Sequence, residues 1–180
     1  MKTSDLIIDC IIGIDPGSSG GIALWKPNEA VKVYKMPKDL YELVEFWEHV
    51  KTIADHPIIF IEKVQLRMDD MEGGKAFRIQ EMLKGFETMK TIITLSKIPF
   101  VQVHPMSWQS TLHLRIKGEE KEVRKKRYKD VAGTFYPEIK PTLWNADALL
   151  ILHFGRTKKM NDPDWILENL PVNVHANFMF

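Results

Sequence analysis

Leu6-Ile7-Ile8-Asp9-Cys10-Ile11-Ile12-Gly13-Ile14-Asp15-Pro16-Gly17-Ser18-Ser19-Gly20-Gly21-Ile22-Ala23-Leu24-Trp25 decides how the chain reads. Leu6 to Ile14 is a dense β-prone run, the pattern of a strand buried on both faces. Asp15 ends it, and Pro16 to Gly21 is turn chemistry. Ile22 to Trp25 resumes as a strand, Lys26-Pro27-Asn28 turns again, and Val31 to Met36 is a third strand. Turns this short between consecutive strands predict antiparallel hairpins.

Working outward, Asp39 to Ala54 is a helix. Leu40, Leu43, Val44, Trp47, Val50 and Ala54 form its apolar stripe, and Asp39 is placed to cap its first turn. Ile58 to Glu62 is a short buried strand, expected parallel to the first. Lys75 to Ser96 reads as a long helix with Phe77, Met82, Phe86, Met89 and Ile93 inward, and Phe100 to Val103 as a fifth strand. Three helices follow: Pro105 to Leu112, Glu119 to Phe135 with Val123, Tyr128, Val131 and Phe135 inward, and Asn145 to Arg156. The expectation is an α/β fold: a five-stranded mixed sheet, three antiparallel strands then two parallel, flanked by helices. Residues 1–160 form the domain. The tail 161–180, with Trp165, Ile166, Leu167, Phe178 and Phe180, is expected to pack on it or on a second copy.

The 180 residues are 44% hydrophobic and 27% charged, which excludes a disordered chain, a collagen and a coiled-coil rod. No apolar run approaches the roughly 18 residues that cross a bilayer. Asp5 and Asp9 interrupt the apolar amino-terminal stretch, against a secretory signal. The lone Cys10 excludes an intrachain disulfide and a cysteine-rich metal site, so a reducing, cytoplasmic setting is expected. A net charge of +1 selects no partner by itself.

Three carboxylates stand out by position. Asp15 ends the first strand, Glu62 ends the fourth, and Asp147 lies in the first turn of the last helix. If strands one and four are parallel neighbours, Asp15 and Glu62 emerge at one end of the sheet, where a helix start can bring Asp147. Each has an ordinary alternative: a turn residue, a charged strand end, a helix-dipole partner. Burying them together costs several kcal/mol per ion unless a cation compensates. Hard oxygen donors select Mg²⁺, with Mn²⁺ as substitute. Two such ions about 4 Å apart suit phosphodiester hydrolysis.

Ile12 to Ala23 resembles the first motif of RuvC-like Holliday-junction resolvases. Ile61-Glu62-Lys63-Val64 is similar to their second acidic motif, and Asn145-Ala146-Asp147-Ala148-Leu149-Leu150-Ile151 to their last. Val103-His104-Pro105-Met106-Ser107-Trp108 is similar to a Pro-x-x-Trp element of phage members. The likeness spans residues 7–156 in order. It implies a ribonuclease H-like fold and a Mg²⁺-dependent, dimeric endonuclease for four-way DNA junctions, working in a bacterial cell or phage-infected host. It implies Asp15, Glu62 and Asp147 as metal ligands, and Lys121 as a basic catalytic residue near the cleaved strand. Two departures stand. Cellular resolvases carry a further Asp where this chain has Trp144, leaving Asn145 as a carbonyl donor, and many carry a Lys where it has Gln109.

Arg115 to Asp130 holds eight basic and four acidic residues, a local excess of +4 against +1 for the chain. Lys121, Arg124 and Lys125 are the candidate phosphate contacts; the alternative is a solvated face with i,i+4 pairs such as Glu120–Arg124 and Glu122–Lys126. The loop after Glu62 adds Arg67, Gly73 and Gly74, with apolar side chains suited to wedge a branch point. Gly85 in the long helix is expected to let another helix approach. Three other functions compete: a non-cleaving branched-DNA-binding protein of the same fold, an RNA-processing nuclease, and a sugar-kinase or actin-like ATPase suggested by Gly13 to Ser18.

Overall fold

A computed structural model of the chain describes residues 7–17, 19–64 and 76–171. One sheet runs through it in the order β3-β2-β1-β4-β5. Its strands are β1 (Cys10–Asp15), β2 (Gly21–Trp25), β3 (Lys32–Lys35), β4 (Pro57–Glu62) and β5 (Phe100–Val103). The first three are antiparallel; β4 runs parallel to β1, and β5 to β4. This is the mixed sheet the sequence predicts. The helices are α1 (Leu40–Ile53), α2 (Ala76–Leu95), α3 (Pro105–Thr111), α4 (Lys121–Phe135), α5 (Ala146–Asn161) and α6 (Pro163–Asn169). Among the described residues, no helix is long and apolar enough to cross a membrane.

Strand side chains alternate between faces, so each buried strand feeds two cores. Cys10, Ile12, Ile14, Ile59 and Ile61 pack with Leu43, Trp47 and Val50 of α1 and Phe86, Met89 and Ile93 of α2. Ile11, Ile58 and Phe60 point the other way, into a core built around α5. Gly13 and Asp15 share that second face with Phe60 and Glu62.

The helix stripes bury less than their periodicity predicts. Leu40 and Val44 of α1, Phe77 and Met82 of α2, and Val123 and Phe135 of α4 are exposed; Phe77 is 72% accessible. A helix lying on one layer covers only an arc of about 100°, and these residues sit on its flanks or beyond the contact. The inward positions of α4 are Tyr128 and Ala132. Asp39 caps α1 as expected, its Oδ1 accepting from Glu42 N at 2.9 Å. Beyond Arg156 the last long helix continues to Asn161, and α6 buries Ile166 and sets Trp165 edge-on against Phe154 at 5.4 Å. Phe178 and Phe180 lie outside the described residues.

The α5 backbone rests directly on β1. A Cβ on Gly13 would stand 2.4 Å from Leu152 N and 2.5 Å from Ala148 O. One on Gly155 would stand 2.6 Å from the Phe60 ring. Backbone atoms cannot yield as a side-chain tip does, so Gly13→Ala is expected to cost about 2–3 kcal/mol. Urea denaturation checks this; an unchanged midpoint would mean that α5 does not need this approach.

Candidate active site

Close packing of α5 on β1 is what positions the acidic residues. The parallel register pairs Ile14 with Ile61. One step further, at the ends of neighbouring strands about 4.8 Å apart, stand Asp15 and Glu62. Both fall on the α5 face, and the first turn of α5 supplies Asp147. All three line one open cavity of about 920 Å³. The turn after β1 is built against the same spot. Gly17 N donates to Asp15 Oδ1 at 3.3 Å, and a Cβ on Gly20 would fall 2.2 Å from the Asp15 carbonyl oxygen.

The negative charge is poorly balanced. Burial raises the Asp15 pKa, and the Asp147 carboxylate raises it further, against Lys125 and the Gly17 N–H. Burial, with Asp15 and Asp147 nearby, pushes Glu62 up to about 8. The Trp108 indole is near enough to favour ionised Glu62 without closing a well-formed hydrogen bond. The cation facing all three is Lys125, whose Nζ meets Asp147 Oδ2 at 2.5 Å. Burial works against that ammonium, yet Asp147, with Asp15 and Glu62 behind it, raises its pKa above the ordinary lysine range.

Four buried side-chain atoms among the described residues have no hydrogen-bond partner: Trp47 Nε1, Trp108 Nε1, Tyr128 Oη and Asp147 Oδ1. Three of them belong to residues lining this cavity. An unsatisfied buried polar atom costs about 1–3 kcal/mol, so their concentration here marks a site that expects a polar ligand. The oxygen-only acidic donors and the free Asp147 Oδ1 fit a hard divalent cation. In the arrangement seen, no group of three or more His, Cys, Asp or Glu among the described residues is gathered so as to hold one metal ion; the Lys125 ammonium provides the compensating charge.

The other sequence candidates separate. Lys121 is exposed at the start of α4 and does not line the cavity; the lysine at the carboxylates is Lys125, one turn on. Arg124 lines the cavity beside it. Asn145 is buried with its Oδ1 accepting from Thr142 N at 2.7 Å, and it lies outside the cavity lining, so its carbonyl serves the turn into α5. Trp144 packs over β2, where a Cβ on Gly21 would lie 2.8 Å from its ring. His104 lines the cavity while its Nδ1 caps α3, accepting from Met106 N at 3.1 Å. Glu120–Arg124 and Glu122–Lys126 do not pair; the ion pairs of α4 are Lys125–Asp147 and Arg127–Glu119. Gly85 is exposed with open space around it. Arg67, Gly73 and Gly74 lie outside the described residues. Trp108 of α3 and Tyr128 of α4, both buried, contribute unpaired donors at the site, a role that nothing in their sequence neighbourhood signals.

Sheet order and close α5 packing define a mixed five-stranded α/β fold of ribonuclease H-like arrangement, with the strand-end carboxylates in one cleft. No family model and no curated protein sequence matches the chain. Among solved structures it is similar to Thermus thermophilus RuvC, at a TM-score of 0.50 and 14% identity over 89% of this chain and 98% of that one. T. thermophilus RuvC in complex with a Holliday junction substrate also matches, at a TM-score of 0.46 and 17% identity over 84% of this chain and 96% of that one. At 14% identity the first of these likenesses speaks to the fold alone.

Proposed function

We propose that the chain is a structure-selective, divalent-metal-dependent endodeoxyribonuclease that cuts four-way (Holliday) or branched DNA junctions. The observation that supports this most is the single cavity uniting three strand- and helix-end carboxylates with three unpaired buried polar atoms. The resolvase-like motifs around Asp15, Glu62 and Asp147 supply the substrate class. These three residues would hold Mg²⁺ or Mn²⁺, which supplies Lewis-acid stabilisation and a nucleophilic water at neutral pH.

The chain's own groups do the rest. Lys125 can exchange the Asp147 carboxylate for the phosphate that enters, keeping its ammonium paired throughout. Arg124 flanks it in the cavity, and Lys121 stands further out for a neighbouring phosphate. Trp108 N–H and Tyr128 O–H are donors available to the incoming oxygens. In the hydrolysis, a water oxygen bonds to phosphorus in line as the P–O3′ bond breaks, leaving 5′-phosphate and 3′-hydroxyl ends. A four-way junction offers two equivalent strands, so symmetrical cutting calls for two copies of the chain; sedimentation of the protein with the junction tests that stoichiometry.

The test is cleavage of a synthetic four-way junction with Mg²⁺, beside linear duplex and structured RNA. Asp15→Asn is expected to lower junction cutting by at least about 100-fold, since even outer-shell partners of a metal are worth 10–100-fold. Equal cutting in EDTA would overturn the proposal, and preference for RNA would redirect it. A second reading, a junction-binding protein that does not cut, is favoured by one observation. Trp144 fills the place of the further acidic residue of cellular resolvases, and Asn145 is engaged elsewhere. Tight junction binding without cleavage under Mg²⁺ or Mn²⁺ would decide for it.

A further inference from the structure

Between α3 and α4 the chain makes a loop, residues 112–120, that the acidic chemistry does not account for. Leu114 is buried, and its N–H donates to Gln109 O at 2.7 Å. Arg127, from the second turn of α4, reaches back to hold the loop. Its Nε and Nη2 donate to the two oxygens of Glu119 at 2.7 and 2.6 Å, and Nη2 also donates to Leu114 O at 2.7 Å. The Glu119 side chain is 7% exposed and that of Arg127 24%. His113 and Gly118 adopt left-handed backbone, φ 55° and 77°, on either side of the tip. A partly buried bidentate ion pair is weak evidence of a contribution to stability, and its better-attested use is to fix one geometry.

What this clamp presents is Arg115-Ile116-Lys117. All three are exposed, all three line the cavity that holds the carboxylates, and Ile116 is 56% accessible. Ile116 stands exposed between two cations on a loop tied down by Arg127, so this rim offers one apolar side chain flanked by two positive charges. The acidic floor repels phosphate; this basic rim attracts it. Charge complementarity therefore selects a polyanion with apolar faces between its charges, which describes an unstacked nucleic-acid strand.

We propose that the 112–120 loop is a strand-binding element. Arg115 and Lys117 take successive backbone phosphates, and Ile116 packs against an unpaired base or its sugar at the branch point, next to the phosphate to be cut. This rests on the nuclease reading above and adds to it the element that distinguishes branched DNA from duplex. Glu119 and Arg127 act as positioning residues through the loop.

The experiment measures binding of fluorescein-labelled four-way junction and linear duplex in EDTA, by anisotropy over a range of salt. Asp15→Asn is the common background, and thermal melts confirm folding. Ile116→Ser is expected to weaken junction binding about tenfold, the worth of one apolar base contact, while leaving duplex affinity and the salt slope unchanged. Arg115→Gln with Lys117→Gln is expected to weaken both probes and to reduce the magnitude of the salt slope by about 2. Glu119→Gln separates geometry from charge. It makes the protein more positive, so electrostatics alone predicts tighter binding; release of the loop predicts weaker junction binding with duplex little changed. Wild-type junction affinity in Ile116→Ser, or tighter junction binding in Glu119→Gln, would overturn the loop's role. If the unsubstituted chain binds no DNA, the nuclease reading fails; if it binds and cuts while the loop variants behave as wild type, only this inference fails.

Discussion

Without metal, the protein is expected to lose stability as the pH rises from about 4.5 to about 8, and to recover it when Mg²⁺ is added. Glu62 titrates near 4.5 when unfolded and at about 8 in the fold. Between those values the unfolded chain releases a proton that the folded chain keeps, so each pH unit shifts the balance toward unfolding by up to about 1.4 kcal/mol. Below the range both states are protonated, and above it both are ionised, so the loss levels off. The full gap amounts to about 3–5 kcal/mol, and Asp15, shifted the same way, adds to it. Glu62→Gln should therefore be more stable than wild type by about 3 kcal/mol at pH 8.5 and equal to it at pH 4. Urea titrations across that range provide the measurement. A divalent cation at 100 times its Kd adds about 2.7 kcal/mol, or about 5–10 °C in Tm, and should do so at pH 8 far more than at pH 5. Superimposable stability profiles for wild type and Glu62→Gln would mean that burial beside Asp15 and Asp147 does not hold the Glu62 proton.

The amount of this that the sequence discloses depends on how local the cause is. Strand alternation is local. Ile11-Gly13-Asp15 and Ile58-Phe60-Glu62 each place a carboxylate two residues beyond a core-facing position, and the parallel pairing of β1 with β4 then sets them side by side. Turn chemistry at Pro16 to Gly21 and the Asp39 cap are local too. Which lysine reaches the carboxylates is not. Lys121 and Lys125 share a helix face, and only the tilt of α4 against α5 decides that the second reaches Asp147. Asn145 looks like a ligand beside Asp147 in sequence, but its amide is needed three residues back, at Thr142 N. The overestimated stripes of α1, α2 and α4 have the same origin: periodicity marks a face, while its width is set by the layer it meets. Tyr128 reads as core because it is core, its ring centroid 5.4 Å from that of Trp108; that the polar ends of both are left unpaired is a property of the assembled cavity.

Lys125→Met is expected to destabilise the metal-free protein by about 3 kcal/mol at pH 8, the lower end of the 3–5 kcal/mol for removing one partner of a buried pair. The lower end applies because the lysine side chain is 31% exposed, against 10% for Asp147. An exposed i,i+4 pair on the same helix would cost well under 1 kcal/mol, so the measurement distinguishes a solvated charge from a counter-ion. Two further readings follow from the same cause. Combining Lys125→Met with Asp147→Asn removes one negative charge along with the positive one, so the double variant should recover much of the loss, with a coupling of about 2 kcal/mol. Mg²⁺ should also raise the Tm of Lys125→Met by more than that of wild type, because the cation no longer competes with an ammonium for Asp147. A variant that melts like wild type and responds to Mg²⁺ no more strongly would show that the three carboxylates do not depend on Lys125. If instead stability falls and Mg²⁺ restores it, lysine and metal ion are alternative answers to one electrostatic demand, and phosphate entering the cavity must meet a site where the exchange between them has already been prepared.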